Sequence, residues 1–202
     1  LLFVLSLMLI MNGFNFIDGL NGLSSFNFIV ILFNIFFLAD LNQDVDIVNL
    51  VILLFSLSIF FLILNFPLGK FFLGDSGSYL YAFLSGTLVI ILFQRNPELP
   101  SLLALLILAY PITETIFSIF RKTINKFSPM EPDNLHLHHL IYGRLTGSKI
   151  FKNNLAALLM LPFWFGPFLL ILVSHNFNLH NLIIYFLYLF IYVSTYYVLK
   201  KI

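Results

Sequence analysis

Apolar residues gather in runs at about 23 to 39, 47 to 64, 78 to 93, 101 to 120, 154 to 174 and 182 to 199. Each is close to the roughly 17 to 25 residues that cross the hydrocarbon of a bilayer as a helix. Six helical spans are therefore predicted. Residues 1–11 are apolar as well, but at 1.5 Å per residue they cover only about 16 Å of a roughly 30 Å core, which predicts a partial span. The runs are apolar on all sides and lack the two-residue alternation of a barrel strand, so their backbone groups must bond within helices. The expected fold is an all-α, polytopic transmembrane helical bundle of about six complete spans plus one partial span at the amino terminus. Residues 1–202 would form a single integral membrane domain. Leu1-Leu2-Phe3 offers neither the basic leader nor the cleavage site of a signal peptide. The expectation is a fragment that lacks its natural amino terminus.

Composition removes the alternatives. Of the residues, 60% are hydrophobic and 18% aromatic, while 9% are charged against about 25% in an ordinary soluble domain, which excludes a water-soluble globule. The absence of Cys excludes disulfide frameworks and thiolate metal sites. Ten Lys and Arg against nine Asp and Glu give a net charge of +1, so only the placement of charge informs. Alternating the loops across the bilayer puts Lys70, Arg121, Lys122, Lys126, Arg144, Lys149, Lys152, Lys200 and Lys201 on one side and Arg95 alone on the other. The positive-inside bias makes the first side cytoplasmic, in the inner (plasma) membrane. The one sizeable extramembrane piece is a basic cytoplasmic loop over 121–153.

Three polar clusters lie on that cytoplasmic side. In the first, Asn12, Asn15 and Asp18 are spaced by three, which on a helix places them on one face. The four turn-forming residues between 18 and 22 favour irregular backbone. The bland alternative is a capped helix end, but polar groups at this depth are costly and usually functional. The second runs from Asn65 through Lys70 and Phe72 to Gly74-Asp75-Ser76-Gly77-Ser78. Glycines flanking Asp75 allow a ligand close approach, and a carboxylate at a loop-to-helix junction suits a hard cation such as Mg²⁺. A serine-protease reading of Gly-Asp-Ser-Gly is rejected, since that nucleophile needs a His partner held in a soluble scaffold. The third cluster is Ser128-Pro129-Met130-Glu131-Pro132-Asp133-Asn134-Leu135-His136-Leu137-His138-His139. Its three histidines fit zinc poorly and phosphate oxygens better, against the alternative of a merely solvated basic loop. Asp40 to Asp46 starts like a calcium loop but has Val45 and Val51 where Gly and Glu belong, so it is read as an acidic outer loop. Glu114 is the one acid deep in a hydrophobic run, with pairing to a neighbouring helix and lining of the site both open.

The ordered set of clusters resembles the polyprenyl-phosphate N-acetylhexosamine-1-phosphate transferases, in particular the branch that starts O-antigen, teichoic acid or capsule synthesis. Asn12 to Leu23 is similar to that family's Asn-rich Asp-Gly motif, Asn65 to Ser78 to its Gly-Asp-Ser-Gly loop, and Pro132 to His139 to its His-x-His-His loop. The resemblance implies transfer of an N-acetylhexosamine-1-phosphate from a UDP-sugar to polyprenyl phosphate with release of UMP. It implies Asp75 as a ligand of Mg²⁺, with Mn²⁺ as an alternative, and Asn15 near the metal. Asp18 would lie beside the nucleotide or reacting phosphate, and His136, His138 and His139 would engage the pyrophosphate. Asn65 and Phe72 would contact the uracil, and Asn12 and Lys70 are further substrate-binding candidates. The implied partners are UDP-N-acetylhexosamine, polyprenyl phosphate and the lipid bilayer, without nucleic acid, and a homodimer is compatible with them. Asn21 replaces the family's second acid in the first motif, Glu114 stands where the branch often has Asp, and no Asp-Asp pair occurs in the sequence. Lacking that pair, residues 1–202 alone are expected to be inactive. The rival reading is a transporter, whose site would sit near the bilayer midplane on interrupted helices, or a noncatalytic membrane subunit.

Overall fold

The computed structural model describes residues 2–126, 128, 133–174 and 178–201, and every regular element among them is a helix. In order these are α1 (Leu2–Ile17), α2 (Leu23–Leu41), α3 (Val45–Asn65), α4 (Gly74–Arg95), α5 (Leu103–Ile107), α6 (Ala109–Ile124), α7 (Leu137–Arg144), α8 (Lys149–Leu159), α9 (Leu161–Trp164), α10 (Gly166–Ser174) and α11 (Asn178–Lys201). The protein is an all-α polytopic bundle. Among the described residues α2, α3, α4 and the 180–201 part of α11 are each long and apolar enough to cross a membrane. A fifth span is obtained if Lys149–Leu159 and Leu161–Val173, bent by 41°, are taken together.

The span expected over 101–120 is not one helix. It breaks at Leu108 between α5 and α6, because Pro111 has no N–H to bond the carbonyl of Ile107 and is tolerated only within the first turn of a new helix. α6 keeps 16 residues, short of a full crossing. At the other bend α9 likewise carries a proline in its first turn. The partial amino-terminal span reaches further than residues 1–11, since α1 continues to Ile17 and takes Asn12 and Asn15 into its last turns.

α1 lies between α4 and α6, while α2 and α3 form an antiparallel pair. Small residues set the spacing around α1. A Cβ on Gly13 would lie 2.3 Å from the Pro111 carbonyl oxygen of α6, and one on Gly86 of α4 would lie 2.5 Å from a Leu7 methyl. α2 is largely buried, and its Phe28 stacks on Tyr81 of α4 with ring centroids 4.1 Å apart. α3 shows Leu50, Ile52, Leu53, Leu57, Phe60 and Ile63 on its outside, the surface expected of a helix whose solvent is lipid.

The α2–α3 turn meets the end of α4. Asp44 caps α3 by accepting from the Ile47 N–H at 3.3 Å and takes a bidentate pair of bonds from Arg95 at 2.7 and 2.8 Å. Arg95 also reaches Asp46 at 2.9 Å, and the Asn96 amide donates to Asp44 at 3.3 Å. The central carboxylate of the acidic loop is thus paired with Arg95. The three polar clusters sit at the opposite end of the same helices.

Candidate active site

At that opposite end two loops carry the polar residues of the first two clusters, and asparagines hold them together. The chain leaves α1 through Asp18 to Asn21 and enters α2 after Gly22, whose φ of +80° is one that glycine adopts without strain. The Gly22 N–H donates to Asn65 Oδ1 at 2.5 Å, and Asn65 Nδ2 donates to the Phe71 carbonyl at 2.6 Å. Asn65 is buried and both ends of its amide are engaged, so it stitches the 18–22 loop to the 66–73 loop. Two residues that the sequence reading missed reinforce the stitch from α8. Asn153 Oδ1 accepts from the Asn21 N–H at 2.7 Å, and Asn154 Nδ2 donates to the Pro67 carbonyl at 2.8 Å. The signal available was only an Asn-Asn pair beside a basic helix start, 132 residues from its partner loop.

The stitched loops bring the first two clusters together. Asn15 Nδ2, on the last turn of α1, donates to Asp75 Oδ1 at 3.1 Å, and Asp75 is exposed in the first turn of α4. Asp18 lies just past α1. Burial and then the charge of Asp75 push its carboxyl up to about 7, against a bond from the Gly74 backbone that favours the ionised form. Asn12 stays apart from this group: its amide donates to the Met8 carbonyl one turn back on α1, at 2.8 Å. Lys70 and Phe72 project from the 66–73 loop, and Phe72 is 75% exposed.

The third cluster closes over the first. Residues 129–132 of that cluster lie outside the described residues. From Asp133 on the chain is anchored to α6: Arg121, only 4% exposed, donates twice to Asp133, at 2.8 and 3.1 Å. His136 precedes α7, and its ring faces Phe16 of α1 with centroids 4.9 Å apart. Its Nδ1 is 2.7 Å from Glu114 Oε1, and the Tyr192 hydroxyl of α11 donates to the other Glu114 oxygen. Glu114 thus pairs with neighbouring elements and does not face solvent. His138 is fully buried with both ring nitrogens lacking a partner, and burial holds it well below the usual histidine range. A Cβ on Gly19 would lie 2.5 Å from His138 Nε2 and 3.1 Å from His139 Cε1, so the residue after Asp18 must be glycine-small for the loop to seat. His139 is partly exposed and is also lowered, by burial first and by His136 next, against Glu114 and Asp133.

Asp18 and Asp75 therefore lie close enough to repel, with the Asn15 amide bonded to Asp75. Among the described residues no group of three or more His, Asp or Glu gathers as a metal cage. Asp18, Asp75 and Asn15 instead make the sparse oxygen set suited to Mg²⁺, which takes one or two carboxylates and completes its shell with water and substrate phosphates. An incoming divalent cation would relieve the repulsion that raises Asp18. The donor set fits such an ion.

The helical membrane bundle thus carries two acids and an amide beside a histidine loop at one end, and sequence similarity gives it relatives. Residues 1–93 match the family described as Glycosyl transferase family 4. A probable undecaprenyl-phosphate N-acetylglucosaminyl 1-phosphate transferase of Bacillus subtilis (strain 168) is 33% identical over 131 residues, which cover 64% of this chain and 37% of the relative. An undecaprenyl-phosphate alpha-N-acetylglucosaminyl 1-phosphate transferase of Thermotoga maritima is 31% identical over 191 residues, covering 95% of this chain and 54% of the relative. A decaprenyl-phosphate N-acetylglucosaminephosphotransferase of Mycolicibacterium smegmatis is 29% identical over 179 residues, covering 78% and 42%. The chain belongs to the polyprenyl-phosphate N-acetylhexosamine-1-phosphate transferase family. It spans about half the length of the Thermotoga relative and less of the others. No solved structure matches it.

Proposed function

We propose that the protein takes part in moving an N-acetylhexosamine-1-phosphate from a UDP-sugar to polyprenyl phosphate at the cytoplasmic face of the plasma membrane, releasing UMP. The observation that carries this reading is the placement of Asp18 and Asp75 together, with Asn15 bonded to Asp75 and the histidine loop pressed on Gly19. One substrate of such a reaction is anchored in lipid and the other is dissolved in the cytosol, so the chemistry needs a site at the boundary. A site near the midplane, as in a transporter, would leave these residues without a task.

The chemistry asks little of a base, because the nucleophile is already an anion. An oxygen of the lipid phosphate forms a bond to the β-phosphorus, the bond from that phosphorus to the bridging oxygen breaks, and UMP leaves with the electron pair. What the protein must do is bring two anions together and accept the charge that moves to the leaving phosphate. Asp75, Asn15 and Asp18 are assigned to hold Mg²⁺ or Mn²⁺, which when bound supplies that neutralisation. His139, the histidine with an open edge, is assigned to the pyrophosphate, with His138 and His136 packed behind it. Lys70 is assigned to a phosphate and the exposed Phe72 ring to stacking on the uracil. Asn65 is assigned an indirect role, shaping the loop that presents Phe72, since its amide is already engaged.

The test is release of UMP by the natural gene product, supplied with a UDP-N-acetylhexosamine, polyprenyl phosphate and Mg²⁺. Release that requires all three is expected, and release without the lipid phosphate would contradict the reading. Sidedness is tested by cysteines introduced at Ser128 and Gln43. Labelling of position 128 only from the cytosol and of position 43 only from outside is expected, and the reverse would overturn the orientation.

A further inference from the structure

Glu114 is 1% exposed and sits between two helices and a loop that are far apart in sequence. Its two oxygens meet His136, 22 residues on, and Tyr192, 78 residues on. The tyrosine hydroxyl donates to Oε2, and an ionised carboxylate, which only accepts hydrogen bonds, would take the imidazole Nδ1–H at Oε1. That contact sets how the ring is turned and would favour the proton on Nδ1. Phe16 holds one face of the ring, and Nε2 is left toward Asp133 Oδ1, 3.7 Å away and beyond a direct hydrogen bond. His136 is the residue from which α7 starts. Its position therefore sets those of His138 and His139, and through them the contact with Gly19 beside Asp18.

We infer that Glu114 and Tyr192 are positioning residues for the reaction, acting through His136 to orient the histidine loop over the Asp18–Asp75 pair. This rests on the transferase reading above. A purely architectural role for the α6–α11 contact is the competing account, and the same two helices supply its control. Thr113 and Tyr185 share a hydrogen bond of 3.3 Å between them, with no link to His136. If these hydroxyls serve only to dock α11, Tyr185→Phe and Tyr192→Phe should act alike.

The experiment compares Glu114→Gln, Tyr192→Phe and Tyr185→Phe in the natural gene product, reading UMP release together with the ¹⁵N resonances of labelled histidine. A mispositioned group far from the bond being broken can cost as much as about 100-fold. The expectation is a fall in kcat of about tenfold or more for Glu114→Gln and about threefold for Tyr192→Phe, with KM for the UDP-sugar within about threefold of wild type and Tyr185→Phe unchanged. The His136 resonances should report a protonated Nδ1 in the wild type and should move in the first two variants only. Equal kcat losses in the two tyrosine variants would overturn the inference, as would His136 resonances that Glu114→Gln leaves in place. If the wild type releases no UMP, the transferase reading fails, while the ring-nitrogen resonances still decide whether the Tyr192–Glu114–His136 chain exists.

Discussion

The two ends of the bundle treat their carboxylates in opposite ways. At one end Asp44 takes two bonds from Arg95, one from Asn96 and one from a helix N-terminus, and its carboxyl is held below the usual range, chiefly by Arg95. At the other end Asp18 lies close enough to Asp75 to feel its charge, the uncharged Asn15 amide bonds Asp75, and the buried, unpartnered ring nitrogens of His138 sit against Gly19. The first end is complete as folded, and its charges close a helix pair. The second is electrostatically unfinished, and unfinished charge at a membrane boundary is where a ligand completes the structure. The same residue type is thus paired with cations at one end and left beside another carboxylate at the other, and the proposed reaction is assigned to the second end.

Substitutions that disturb packing rather than chemistry sharpen the contrast. The largest effect is expected for Gly19→Val, whose added carbons would overlap His138 Nε2. Pushing the histidine loop off Asp18 should lower kcat for UMP release by about 100-fold, and a variant with near-normal turnover would show that the loop need not close there. Next comes Asn65→Ala. It leaves the buried Gly22 N–H without its acceptor, a loss of about 1 to 3 kcal/mol that thermal unfolding in detergent would register, with KM for the UDP-sugar rising as the 66–73 loop loosens. Smallest is Asp44→Asn at the finished end. Because the Asp44 carboxyl is depressed in the folded protein, its contribution is present above the ordinary carboxylate range and is lost as pH falls through the depressed value. Asp44→Asn should therefore lower Tm slightly at neutral pH and lose less of it on acidification than the wild type does. An equal acid sensitivity in both would remove the pair from the account.

The sequence carried the parts of this picture that depend on composition and local spacing. The apolar runs that became α2, α3, α4 and α11 are long enough to announce themselves, and a lone Arg95 against nine basic residues separated the two ends. The Asp18 and Asp75 motifs were legible because glycines and asparagines cluster around them. What stayed hidden depends on contacts between distant segments. The Leu108 break and the 41° bend after α8 each turn on one proline, Pro111 and Pro162, that a hydropathy run passes over. Glu114 could not be assigned because Tyr192 lies 78 residues away on another helix. Asn153 and Asn154 look like ordinary polar residues until α8 is folded against the two loops. Asn12 had the right spacing, yet its amide turned back on its own helix.

The central claim is that only the unfinished end carries the reaction. It is tested most directly by measuring UMP release from Asp75→Asn and Asp44→Asn side by side in the natural gene product. Asp75 is exposed and its loss removes no buried contact, so the variant should fold and insert normally while turnover falls by at least about 10² to 10³-fold. Asp44→Asn should stay within about twofold of wild type, because it lies at the opposite end of the helices from the proposed site and Asn keeps an acceptor for the Ile47 N–H. Comparable losses in both variants, or a larger loss at position 44, would contradict the division between the two ends.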